Sequence, residues 1–150
     1  MAMFDTVNDS SWVLLGKLTL SGTTTVTTAL VDMQGFNAAD IAFLNATVTD
    51  AGAAAGYTVK LQESDLTTAV SFTDVAAADA VNGAVSPSTT LDTADDTLTA
   101  VLGYVGGKRY LRASATGTTA SDAVVYVMAR RSRSGLSRPN TIVGASTAAT

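Results

Sequence analysis

The chain has 150 residues, 13 acidic and 9 basic side chains and a net charge of −4, and only 15% of it is charged, against roughly 25% in an ordinary domain. It holds no cysteine and no histidine, which excludes disulfides, thiolate or imidazole catalysis, Cys/His zinc sites and haem ligation by those residues. This length suits one domain that buries roughly 70% of its unfolded surface without staples, while the low charge leaves the weakly solvated surface of a subunit packed among others.

Taken in order, the first fifteen residues carry Asp5 and Asp9 and no base before Lys17. They lack the positive start and long apolar run of a signal peptide or membrane span, so neither is expected. Residues 1–10 are expected to form an N-terminal arm. Residues 11–20 (SWVLLGKLTL) and 23–31 (TTTVTTALV) read as two strands parted by Ser21-Gly22. Trp12, the only tryptophan, is expected in the core or under the arm. A third strand covers 41–49. After the small-residue loop 50–56 (DAGAAAG), residues 57–64 (YTVKLQES) alternate cleanly, with Tyr57, Val59 and Leu61 facing in and Thr58, Lys60 and Gln62 out.

Residues 72–75 suit a short strand and 76–81 a helical turn, and the run 86–96 (SPSTTLDTADD) is a polar loop. The chain is organised around 98–105 (LTAVLGYV) and 108–116 (KRYLRASAT), with Gly106-Gly107 between them. A Gly-Gly pair between β-rich runs predicts a hairpin. On its second strand Leu111, Ala113 and Ala115 face the core, and Lys108, Tyr110, Arg112 and Ser114 face away. Residues 122–129 (DAVVYVMA) are apolar at both parities, as expected of a strand covered on both sides. The whole reads as an all-β fold, an antiparallel β-sandwich or jelly roll with extended terminal arms: arm 1–10, sandwich domain 11–129, and an Arg-rich arm 130–150.

Charge is divided along the chain. Residues 1–107 hold twelve acids against Lys17 and Lys60, whereas 108–150 hold seven bases against Asp122. A basic end on an acidic body can dock onto an acidic neighbour. The residues expected to make such an interface are Arg130, Arg131, Arg133 and Arg138 in the tail and Lys108, Arg109, Tyr110 and Arg112 beside the turn. A tail of this composition orders only against something else, and a neighbouring subunit is the simplest partner.

No other constellation carries chemistry. The segment 103–109 lacks the Ser or Thr after its lysine and the following helix that a phosphate loop needs. Asp92, Asp95 and Asp96 could share a calcium ion but do not match an EF-hand spacing. Asp32, Asp40, Glu63 and Asp65 supply carboxylates with no fixed separation. The arginines have no interleaved aromatics and the protein is acidic, which disfavours nucleic acid. No catalytic residue, cofactor or metal site is assigned, and the chain is not expected to be an enzyme.

Three segments, 30–36 (LVDMQGF), 57–65 (YTVKLQESD) and 103–112 (GYVGGKRYLR), together resemble a group of small tailed-phage head proteins. The resemblance spans about residues 20–130. It implies a capsid decoration (cement) protein: a homotrimer on the outer head surface, binding the major capsid protein and bridging capsomers. It also implies a virion location after synthesis in the host cytoplasm, with no membrane partner. A neck or tail structural protein, or a carbohydrate-binding module stacking sugars on Trp12, Tyr57, Tyr104 or Tyr110, are the alternatives.

Overall fold

The structure, a computed structural model, describes residues 10–49, 57–81, 89–91, 99–117 and 122–132. Among the described residues eleven strands run in chain order: β1 (Ser10–Ser21), β2 (Thr25–Thr27), β3 (Val31–Asp32), β4 (Ala38–Thr49), β5 (Tyr57–Ser64), β6 (Thr73–Asp74), β7 (Ala80–Val81), β8 (Thr89–Leu91), β9 (Thr99–Tyr104), β10 (Tyr110–Gly117) and β11 (Asp122–Ser132). Two one-turn 3₁₀ segments, Ala69–Ser71 and Ala77–Asp79, flank β6. The second falls in the predicted helical turn.

The strands form two antiparallel sheets. One has the order β1-β11-β4-β9-β7. The other centres on β10 and β5, with β2 and β3 on the outer side of β10 and β6 and β8 on the outer side of β5. Successive long strands alternate between the sheets: β1 is followed by β2, β4 by β5, β8 by β9, and β10 by β11 in the opposite layer. The orders 1-11-4-9 and 2-10-5-8 are those of a jelly roll, two Greek keys wrapped into a sandwich. This is the all-β sandwich expected from the strand spacing.

The core lies between the sheets. Ile41, Phe43, Tyr57, Val59, Leu111, Ala113, Ala115, Val125, Val127 and Ala129 are each 0% exposed. Alternation on β5 follows the predicted faces, and β10 presents Leu111, Ala113 and Ala115 inward as expected. Ser114 departs from its predicted exposure and is buried.

Further expectations change, among them the polar loop expected over 86–96, within which Thr89–Leu91 forms β8 and pairs with β5. The stretch 98–116 is not a hairpin: β9 pairs with β4 and β7, whereas β10 pairs with β2, β3 and β5. Neither Gly106 nor Gly107 takes the positive φ of a tight hairpin turn; Gly16, Gly22 and Gly35 do. The connection therefore crosses between layers instead of folding back within one. Trp12 is 61% exposed on the outer face of β1 and does not enter the core. Finally, β11 is covered on one side only. Ala123, Val125, Val127 and Ala129 are buried, while Tyr126 on the opposite parity is 45% exposed.

A bulge explains how β1 keeps its register. Leu14 pairs with Met128 and Gly16 with Val127, so Leu15 is an extra residue; it points into the core, and Gly16 takes φ 118° to accommodate it. Strand β11 continues to Ser132, so Arg130 and Arg131 lie in the sheet and not beyond it. Residues 1–9 and 133–150, including Arg133 and Arg138, lie outside the described residues, as do Asp92, Asp95 and Asp96.

Candidate interaction site

One end of the sandwich gathers the start of β10, the end of β5, strand β3, the end of β9 and the last turns of β11. The register brings them together: Tyr110 lies opposite Asp32 on one side and opposite Ser64 on the other. Apart from β11, these elements come from residues 30–36, 57–65 and 103–112, so the three segments of the resemblance meet in space.

Their polar side chains close on one another. Arg109 donates to both Asp32 carboxylate oxygens, with Nη2 3.1 Å from Oδ2, and to Gln34 Oε1 at 3.0 Å. Lys108 Nζ lies 2.6 Å from Asp65 Oδ2, and the Arg109 backbone N–H donates to the other oxygen of Asp65. Arg112 Nε donates to Gln62 Oε1 at 2.9 Å while its guanidinium sits 4.2 Å from the centre of the Phe72 ring. Next to it, Lys60 and Gln62 both donate to Asp74. The Arg109 hydrogen bond holds the Asp32 carboxyl below its ordinary value of 3.8, Lys108 does the same for Asp65, and Lys60 for Asp74.

Beneath this exposed layer is a buried lock. Tyr104 is 1% exposed and its hydroxyl donates to Glu63 Oε2 at 2.7 Å, while the hydroxyl oxygen itself accepts from the Lys108 backbone N–H at 3.0 Å. The chain passes so close over the ring that a Cβ at Gly106 would lie 2.5 Å from the Tyr104 hydroxyl oxygen. Gly106 is thus required by close approach and not by φ. Burial, and after it the Glu63 hydrogen bond, pushes the Tyr104 hydroxyl well above its ordinary value of 10.

Parity could have located Glu63. Tyr57, Val59 and Leu61 face inward, and the next residue of that parity is the only glutamate in the chain. An inward carboxylate demands a donor, and Tyr104 supplies it.

Among the described residues, Lys108, Arg109, Arg112, Arg130 and Arg131 of the predicted interface set make contacts within the chain. Arg109 also stacks 5.0 Å from the Tyr110 ring centre. Arg130 grips Asp40 Oδ2 with Nε and Nη2 at 3.1 and 2.6 Å, and lies 5.9 Å from the Trp12 ring centre. Arg131 donates to the Asp32 carbonyl at 2.6 Å and to Ser11 Oγ at 3.0 Å, over the Phe36 ring; its Nε is buried without an acceptor. Each of Asp32, Asp40 and Asp65 faces a cation of its own chain. Of the sugar-stacking candidates, Trp12 is 61% exposed and Tyr110 half-buried, and the other two are buried. Tyr57 and Tyr104 are 0% and 1% exposed, so neither ring offers a face to a ligand.

At the opposite end, an open cleft of about 290 Å³ is bordered by Thr19, Ser21, Thr47 and Asp122. The remaining surface feature is the outer face of the larger sheet, where Trp12, Leu14, Val101 and Tyr126 are 61%, 67%, 42% and 45% exposed. Among the described residues, this face gathers large apolar side chains that the fold leaves exposed.

No family model and no curated protein matches the chain. Solved structures do. The PBSX exported protein XepA superposes with a TM-score of 0.57 at 11% identity, over 85% of this chain and 39% of that one. A protein of the disulfide-linked pili of Bacillus endospore appendages gives a TM-score of 0.46 at 14% identity over 83% and 86%, and infectious bursal disease virus, Gx strain, 0.38 at 10% over 85% and 32%. This chain thus spans about two fifths of the length of XepA. At such identities the likeness is one of fold.

Proposed function

We propose that the chain is a structural subunit of a phage virion, and within that class a capsid decoration protein that binds the assembled head and bridges capsomers. One observation carries the reading. The three separately matched segments form a single bonded unit, in which Asp32, Glu63, Asp65, Tyr104, Gly106, Lys108 and Arg109 depend on each other. Chance matches in a chain rich in Ala and Thr have no reason to converge. Segments matched because they build the same sandwich corner do.

The physical requirements of such a clip agree with the molecule. Binding only the assembled shell stabilises it by mass action, and that calls for a stiff body, low reactivity and reach. Jelly rolls serve as viral capsid domains, and also as lectins and cupins. Of these, lectin use is disfavoured by the burial of Tyr57 and Tyr104, and a His-ligated metal is unavailable to a chain without histidine. Because Arg130 and Arg131 belong to β11, the capsid contact is assigned in this reading to residues 133–150, with Arg133 and Arg138.

The test is co-sedimentation of the purified chain with expanded, DNA-free heads of the parent phage. Saturable binding at a copy set per capsomer is expected, with loss of binding on truncation after Ser132 and an unchanged melting temperature. Occupancy limited to one ring's worth of copies per particle would make it a connector component, and absence from the particle would end the virion reading.

A further inference from the structure

The outer face of the larger sheet has an ordered composition. In register across β1, β11, β4 and β9 run the rows Trp12–Arg130–Asp40–Gly103 and Leu14–Met128–Ala42–Val101, followed by Tyr126–Leu44 on the two central strands. Bulk is distributed unevenly along these rows. The β1 and β11 half carries Trp12, Leu14, Met128 and Tyr126, while the β4 and β9 half carries Ala42, Leu44 and Val101, with Gly103 buried against Val81. The apolar centre is bordered at one end by the Arg130–Asp40 pair, and Lys17 and Asp122 are exposed toward the other. An apolar centre with aromatic, Met and Arg content and a charged rim is the anatomy of a protein interface.

We propose that this face pairs with the same face of a second copy about a two-fold axis. The axis runs along the strands, midway between β11 and β4. That operation sets Met128 over the partner's Ala42, Leu14 over the partner's Val101 and Tyr126 over the partner's Leu44, with Trp12 toward the partner's β9 edge. Arg130 comes over the partner's Asp40, and Asp40 over the partner's Arg130, so charge is matched as well as shape. A contact in which i meets j and j meets i is isologous and closes at two subunits. A different protein would need a matching gradient of its own; a second copy has it by symmetry.

The area agrees. The exposed apolar side chains of the face offer on the order of 500 Å², at the upper end of patches on ordinary monomers. Counted on both copies they reach about 1,000 Å², the threshold for a specific association. The contact replaces the trimer implied by the resemblance with a pair. It also stands apart from head binding, which is scored on particles, whereas pairing is scored in free solution; either can fail while the other holds.

Sedimentation equilibrium of the full chain at high micromolar concentration is expected to return twice the 15.2 kDa chain mass. The double variant Leu14→Lys/Tyr126→Lys, at two exposed positions, should weaken pairing by about 30-fold or more with an unchanged circular dichroism spectrum. Orientation is read by a short bis-maleimide, since the native chain has no cysteine. Leu14→Cys and Val101→Cys mixed together should cross-link, and neither alone should, because the axis sets like positions on opposite edges. A monomer or a trimer, or cross-linking of Leu14→Cys with itself, would overturn the proposal.

Discussion

Tyr104 shows how much one hydroxyl organises. It joins β9 in one sheet to Glu63 at the end of β5 in the other, and it also fixes the Lys108 N–H in the crossing between them. Tyr104→Phe leaves a buried carboxylate and a backbone donor without that partner, which costs about 1–3 kcal/mol and lowers the melting temperature by about 3–10 °C, measurable by calorimetry. Glu63→Gln keeps an acceptor for the hydroxyl and should cost less. The pH dependence has a definite sign. In the unfolded chain this tyrosine ionises near 10, whereas in the fold burial holds its proton. The native state then binds more protons above pH 10, so stability falls as pH rises there. Tyr104→Phe should flatten that alkaline limb; an identical slope in the variant would remove the lock from the account. Parity along β5 places Glu63 inward, but nothing in the sequence sets it opposite Tyr104.

Strand β10 carries the largest share of the second sheet, since it bonds β2 and β3 on one side and β5 on the other. Its inward side chains are small except for Leu111, which is 0% exposed. Leu111→Ala removes a packed side chain from the strand that joins both halves of the sheet, and about 2–5 kcal/mol is expected. Urea unfolding should show a lower midpoint with the slope preserved; a loss below 1 kcal/mol would mean that the site collapses onto the cavity. The alternation that fixes Leu111 inward was readable in the sequence, as it was for Tyr57, Val59 and Leu61. The environment of β11 was not. Its outward residues are apolar enough that the sequence predicts cover on both faces, whereas the fold covers one and leaves Tyr126 45% exposed on the other.

For the molecule as a whole, the exposed charge layer at one end governs behaviour in acid. Asp32, Asp65 and Asp74 have carboxyls held below 3.8 by Arg109, Lys108 and Lys60. A carboxyl depressed in the fold contributes stability that is complete above its unfolded value and is lost as pH falls through the folded one. The melting temperature should therefore decline below pH 4. In Asp32→Asn/Asp65→Asn/Asp74→Asn that decline should be shallower, and high salt should weaken the wild-type effect by screening. A calorimetric series from pH 2 to 7 with superimposable acid limbs would show that the pairs add nothing to the fold.

Local pattern determined much of this protein by itself: its all-β class, the position of most long strands, the inward faces of β5 and β10, and the absence of cysteine and histidine chemistry. These depend on side chains that repeat every second residue along one segment, and a sequence displays such periods directly. Only the tertiary structure decided that β9 and β10 belong to different sheets, that Arg109 closes on Asp32 and Lys108 on Asp65, and that Trp12 faces outward. Each depends on which segments meet across dozens of residues of intervening chain, and Gly106-Gly107 reads the same whether the strands beside it pair with each other or cross the core.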